Sequence, residues 1–256
     1  MRCVFERKLV AIILLSFLLA LPITLRPVCA EGPYLQWIKE YYLVPLIDTN
    51  PHGRLNVIVD IYQLMNDGSP DYNWFFYVVK MQTVPGKVAY GSDWETADTT
   101  ANHVVWSYVA GYVDWLVDYD PTTSNSEYSA SASVTVSLEP SLQPLGAPSV
   151  SFTYTYTYSV PYVKVVDQSD YSEYKARWIH DFAETSDPPN SPSDSTYQAK
   201  PGFVIKANQG SGSYIDAQYK VTWGHPVWWG LWWEYASFQS DVIYLDVYSW
   251  EVQNSS

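Results

Sequence analysis

Residues 150–160 read VSFTYTYTYSV. Every second residue, Ser151, Thr153, Thr155, Thr157 and Ser159, is a small hydroxyl. The residues between them, Val150, Phe152, Tyr154, Tyr156, Tyr158 and Val160, are apolar or aromatic. So strict a period of two predicts a β-strand with one apolar and one wet face. The strand has a mate of the same design. In SASASVTVSL, residues 129–138, Ser129, Ser131, Ser133, Thr135 and Ser137 alternate with Ala130, Ala132, Val134, Val136 and Leu138. The EPSLQPLGAPS stretch between them carries Pro140, Pro144, Gly146 and Pro148, which mark a loop. Together the two strands read as one long amphipathic hairpin within residues 126–163.

The apolar face of this hairpin admits three uses: a protein core, a sugar-binding surface, or a bilayer. Half-buried sandwich strands alternate in the same way. Strands of roughly nine to eleven residues suffice to cross a membrane when tilted. From Tyr128 to Val163 the one charged residue is Glu139, in the connecting loop. A membrane strand needs apolar residues toward lipid and tolerates hydroxyls toward an aqueous lumen. The hairpin meets both demands on both strands, with the Ser/Thr set facing the lumen and the apolar set facing lipid.

The rest of the chain is also β-rich. RLNVIVDIYQLM and YNWFFYVVKMQTV, joined by the turn cluster NDGSPD, read as a hairpin. GKVAY and HVVWSYVAGYVDWLV continue the strand pattern, and YVKVV follows the long hairpin. DQSDYSEYKARWIHDF supports two readings. Asp170 and Glu173 fit a helical capping box, whereas Tyr174, Ala176, Trp178, His180 and Phe182 alternate as a strand does, and the strand reading is taken. GFVIKA, SYIDAQYKVTW and QSDVIYLDVYSWEV supply three more strands. Residues 31–50 have no clean period and suggest a short helix or a loose arm. The fold class expected is all-β, an antiparallel sandwich over residues 31–256 as a single domain.

The N-terminus reads as a secretory signal peptide. Arg2, Arg7 and Lys8 precede the apolar run LVAIILLSFLLALPI, and cleavage is expected after Ala30 in the VCA sequence. The run is short for a spanning helix and is broken by Pro22. Both cysteines, Cys3 and Cys29, lie in this segment, so the secreted chain is expected without a disulfide. The formal net charge is −13, which argues against nucleic acid and against purely electrostatic docking on anionic lipid. The 23 Tyr and 12 Trp suit both β-structure and membrane-interface belts.

Little points to catalysis. His52, His103, His180 and His225 are scattered, without metal-ligand or triad spacing. The acidic turns match no EF-hand loop. No enzyme activity, metal or cofactor is expected. In contrast, Trp223, Trp228, Trp229, Trp232 and Trp233 fall within a dozen residues broken by Gly224, Pro226 and Gly230. Such a loop, spanning 223–238, fits a wet–dry boundary where indole N–H meets water and the ring meets lipid or sugar. A loop folded back to close the core is the alternative.

Together these features resemble the leukocidin/α-hemolysin class of secreted β-barrel pore-forming toxins. The charge-poor Ser/Thr hairpin sits where that class keeps its stem. YSVPYVKVVDQSDYSEYKARW resembles the exit from the stem into the cap sandwich. KPGF, AQYKVTW, the aromatic loop and the closing DVIYLDVYSWEV resemble the late strands and rim. The likeness spans roughly residues 126–252. It departs from the class in a stem of Ser, Ala, Thr and Tyr rather than Gly, in Pro161, and in a short chain. The resemblance implies a soluble monomer with its hairpin folded on the sandwich as a pre-stem, and a rim-like aromatic loop. Its partners would be membrane lipid or a surface glycan. Homo-oligomeric assembly would then insert one hairpin per subunit into a shared barrel. Two other functions fit the same residues: an extracellular carbohydrate-binding module, and a structural subunit of a surface layer or filament.

Overall fold

Apolar alternation in the sequence becomes alternation of burial in the fold. A computed structural model describes residues 32–69, 71–106, 115–121, 131–137, 151–157, 163–182, 194–227 and 232–253, with the backbone alone through most of 131–137 and 151–157. The region from Pro33 onward clusters as one unit. The described strands are β1 (Tyr34–Thr49), β2 (Gly53–Met65), β3 (Tyr72–Pro85), β4 (Glu95–Val105), β5 (Trp115–Asp120), β6 (Ser131–Ser137), β7 (Ser151–Thr157), β8 (Lys164–Asp167), β9 (Lys175–Asp181), β10 (Tyr197–Ala199), β11 (Gly202–Asn208), β12 (Ile215–Val227), β13 (Trp232–Gln239) and β14 (Ile243–Tyr244). One helical turn, α1 (Gly86–Ala89), lies between β3 and β4.

Two antiparallel sheets pack face to face. Sheet I has the order β1-β2-β3-β11-β5, with β10 beside β3, and sheet II has β13-β12-β4-β9-β8, with β14 beside β12. The chain is an all-β sandwich, as the sequence pattern predicts. The expected first hairpin is β2–β3, in register from Gly53↔Pro85 to Gln63↔Phe75. In β2, Leu55, Val57, Val59 and Ile61 are all buried between the sheets. In β9, Ala176, Trp178 and His180 are buried at alternate positions, so the strand reading of that segment holds. The capping signal is real but local. Asp170 accepts from Ser172 N at 2.8 Å and caps one 3-10 turn, Tyr171–Glu173, which Tyr174 ends at φ 50°.

The core is aromatic. Trp178, Trp223, Tyr77, Tyr219, Phe75 and Phe203 are among its largest fully buried side chains. Phe203 stacks on Tyr77 at 4.8 Å between centroids and lies 4.9 Å from the His103 ring. Burying Tyr and Trp requires partners for their polar atoms. Trp178 Nε1 donates to the Pro121 carbonyl at 2.8 Å, the Tyr219 hydroxyl pairs with His103 Nε2 at 3.0 Å, and the Tyr77 hydroxyl meets Ser213 Oγ.

Three expectations are corrected. Residues 34–49 form a sixteen-residue edge strand rather than a helix or loose arm. Its register against β2 shifts between Trp37 and Lys39 and again between Leu43 and Ile47. The first shift adds one residue and inverts which face the next residues occupy, the second adds two and interrupts the alternation, and together they erase the period of two. GKVAY is not strand but α1 and its C-cap. There a Cβ on Gly86 would lie 2.0 Å from the Pro51 carbonyl, so the close packing of the chain crossing overrides the β-propensity of Val and Tyr. The C-terminal strand is reduced to β14 and a single bridge, Val247 with Ser213. Beyond it the tail closes one end of the sandwich, with Glu251 on Lys39 at 2.8 Å and Gln253 N donating to Gln63 at 2.9 Å.

Candidate functional site

β6 and β7 form their own two-stranded antiparallel sheet, separate from both sandwich sheets among the described residues. The register pairs like with like. Ala132 faces Tyr156, Val134 faces Tyr154 and Val136 faces Phe152. On the intervening rungs Ser131 faces Thr157, Ser133 faces Thr155, Thr135 faces Thr153 and Ser137 faces Ser151. A slip of one residue would put a hydroxyl opposite each aromatic and leave neither face uniform. Thr153 is exposed. Ser129, Ala130, Leu138, Val150, Tyr158, Ser159 and Val160 lie outside the described residues.

The described residues that flank the ribbon, Pro121 and Val163, lie at one end of the sandwich. That end is defined by Gly53 and Trp223, which meet across the two sheets. β5 runs toward it, from Trp115 opposite Lys206 to Asp120 opposite Gly202, and Pro121 is held there by Trp178. The chain re-enters at buried Val163, and Lys164 pairs with Asp181, itself opposite Asp98 near the start of β4. The backbone of β6 runs close to β5 and β11.

Sheet I has an unusual outer face. In a two-layer sandwich that face normally meets water and is polar. Here Leu64, Trp74, Phe76 and Val204 point away from the central core yet are at most 3% exposed. Leu35, Tyr62 and Val117 pack around them. This outer face is therefore covered rather than open to water. Across it, Lys206 stands 3.7 Å over the Tyr72 ring and within 5.6 Å of Trp74 and Trp115, a cation–π cage.

The Trp-rich segment is a β-hairpin, not the loop expected for 223–238. β12 and β13 pair from Lys220↔Gln239 out to Val227↔Trp232. Trp223 is removed from the docking set, because it is fully buried in the core, with its indole against Gly53 and its ring 5.5 Å from Phe238. Trp232 is half exposed and Trp233 half-buried, while Trp228 and Trp229 lie outside the described residues. The outer end of this hairpin stands at the same end of the sandwich as Pro121 and Val163.

The four histidines separate into two environments that spacing alone did not reveal. His103 and His180 are in the core, where burial holds their pKa down to about 3 and about 4. Both are therefore neutral at physiological pH and shielded from any substrate. His52 and His225 flank Trp94 at 4.4 Å each, and His225 Nε2 meets a Glu234 carboxylate oxygen at 2.9 Å. Burial, and then the neighbouring His225, push the His52 pKa down. Among the described residues no three His, Cys, Asp or Glu side chains cluster as metal ligands.

Two surface features escaped the sequence reading. One is a stacked pair at the opposite end, Tyr248 and Trp250 at 5.8 Å, with Lys39 5.2 Å over Tyr248. The other is a polar trough on the outer face of sheet II. Its signal was present in ETADTTANHVV and DAQYKVTW, where Asp98, Thr100 and Asn102, and Gln218, Lys220 and Thr222, recur at every second position. Compared with protein-family models and with curated proteins, the chain matches none.

Proposed function

We propose that this chain is a secreted pore-forming protein. In this reading the tip of the β12–β13 hairpin docks on a membrane through Trp228, Trp229, Trp232 and Trp233. Copies then assemble side by side and contribute their β6–β7 ribbons to one transmembrane barrel, as the resemblance to the leukocidin/α-hemolysin class implies. The observation that carries the reading is the ribbon itself. Among the described residues it pairs with neither sheet, and its register sets apolar residues opposite apolar ones and hydroxyls opposite hydroxyls.

The physics is that of strands in lipid. A lone ribbon leaves backbone groups unpaired on both edges, and lipid offers them no partner. Closing several ribbons into a ring removes the edges, turns the apolar set toward lipid and lines the lumen with Ser and Thr. Seven paired residues at about 3.3 Å per residue span about 23 Å. A tilted crossing of an apolar band about 25 Å tall therefore also uses the flanking alternation in 129–138 and 150–160. Before assembly, the apolar face needs cover. The proximity of β6 to β5 and β11, beside the apolar outer face of sheet I, supports a pre-stem stored on that face.

The test is dye release from neutral liposomes by the purified chain, with SDS-resistant oligomers scored in parallel. Release accompanied by a ring-sized oligomer is expected. A folded chain that releases nothing from any lipid tested overturns the reading, and polymers forming without lipid would favour a filament or surface-layer subunit.

A further inference from the structure

The outer face of sheet II differs from that of sheet I: it is polar and open. Three successive rungs cross it. Thr222, Asp98 and Asp181 align on the first, Lys220, Thr100 and Ile179 on the second, and Gln218, Asn102 and Arg177 on the third. The residues alternating with them, including Tyr219, Ala101, Trp178 and His180, are core. A trough of about 360 Å3 follows these rungs, bordered by Asp98, Thr100, Arg177, Asp181, Lys220 and Tyr235. It adjoins a second of about 200 Å3 that shares Thr100, Arg177 and Lys220 and adds the amides of Asn102, Gln218 and Gln239. The larger space lies within the usual range for small-ligand sites, about 300–1000 Å3.

The chemistry of the lining is specific. Two cations, Arg177 and Lys220, are balanced by two carboxylates, Asp98 and Asp181, so the trough has no net charge to select an ion. Three amide side chains and Thr100 add donors and acceptors together. Arg177 Nε is buried and finds no acceptor among the described residues, a donor whose desolvation a ligand oxygen would relieve. Asp98 is partly desolvated, with Thr222 and Lys220 beside it. At one margin stands Tyr235, half exposed, opposite Gly224, which has no side chain to cover it. Burial and the two nearby carboxylates push its hydroxyl pKa up, so it stays neutral. Interleaved donors and acceptors beside an accessible aromatic ring suit a ligand with many hydroxyls on one side and a C–H face on the other.

We propose that this trough binds a neutral sugar unit of a glycan. Asp98 and Asp181 accept from sugar hydroxyls, Arg177 and Lys220 donate to sugar oxygens, and Tyr235 lies against the apolar face of the ring. Among the described residues none from the β6–β7 ribbon borders the trough, so the proposal does not depend on the ribbon.

The experiment is retention of the full secreted chain on immobilised neutral hexose and N-acetylhexosamine oligosaccharides, with competition by the free oligosaccharide. Sulfated and phosphorylated versions serve as comparison. Binding to at least one neutral glycan is expected. Tyr235→Ala and Asp98→Asn should each weaken it at least tenfold, while Thr155→Asp and Trp232→Ser leave it unchanged. Near-UV circular dichroism confirms that each variant is folded, and Arg177→Gln replaces any that is not. No retention of the folded parent on any neutral glycan overturns the proposal. So does binding that survives Tyr235→Ala and Asp98→Asn, or that requires the charged glycans.

Discussion

Gly53 and Trp223 share a contact that only glycine permits. Gly53 sits at φ 150°, and a Cβ there would lie 2.6 Å from the Trp223 indole nitrogen and 2.7 Å from the Val84 carbonyl. Gly53→Ala is expected to destabilise the fold by about 2 kcal/mol or more, through backbone strain and overpacking together. Equilibrium denaturation measures it, and a loss within experimental error would mean that the sheets can separate slightly at this end. Trp178 presents the opposite case, a large ring with a satisfied polar atom. Trp178→Phe leaves the Pro121 carbonyl without its donor and opens space beside Phe203, at an expected cost of about 1–3 kcal/mol. His180 differs again, since both ring nitrogens are buried without a partner. His180→Leu, similar in size and with nothing to satisfy, should be neutral or stabilising at pH 7.

At the scale of elements, the ribbon and the Trp-rich hairpin make separable predictions. In the pore reading, Tyr156→Asp and Val134→Asp place a carboxylate on the lipid face, at a cost of up to a few kcal/mol per subunit near mid-bilayer. Summed around a ring, this should stop insertion while surface assembly persists. Thr155→Asp and Thr135→Asp place the charge in the lumen, where conductance should continue and shift toward cations. Planar-bilayer recordings of Thr155→Asp against the parent decide it, because channel steps whose selectivity ignores residue 155 would assign the barrel to another segment. The β12–β13 tip should carry docking. Replacing Trp228, Trp229, Trp232 and Trp233 with Ser is expected to abolish sedimentation with neutral liposomes and to leave the fold intact. Trp223→Ser should instead unfold the sandwich, since that ring is core.

At the scale of the whole molecule, stability should depend on acid. His103 and His180 are held neutral down to about pH 3 and about pH 4, and unfolding restores the ordinary value of about 6.5. Below pH 6.5 the unfolded chain therefore binds protons that the fold excludes. Stability is fully present above pH 6.5 and falls on acidification by about 1.4 kcal/mol per pH unit for each histidine. Burial raises the carboxyl pKa of Asp98, Glu95 and Asp246, and these groups act in the opposite sense near their own range. Denaturation midpoints are expected to decline from pH 7 to pH 5 through the two histidines, and His180→Leu to make the decline shallower. A profile that His180→Leu leaves unchanged would mean that His180 is not held neutral by burial.

Local alternation determined what is local. The β2–β3 hairpin, β9, the all-β class and the like-with-like register of the ribbon follow from side chains that point alternately to two faces, a relation set by neighbours two residues apart. Tertiary structure decided whatever depends on contacts distant in sequence. The bulges of β1, the turn at Gly86 and the shortened C-terminal strand arise where close approach overrides propensity. Trp223 was indistinguishable from Trp232 in sequence, and only the meeting with Gly53 on the other sheet made one core and left the other exposed. The four histidines were likewise equivalent until the sheets packed two inside. The polar trough of sheet II exists only because β13, β12, β4 and β9 lie side by side. Burial and convergence are properties of packing, and no single segment carries them.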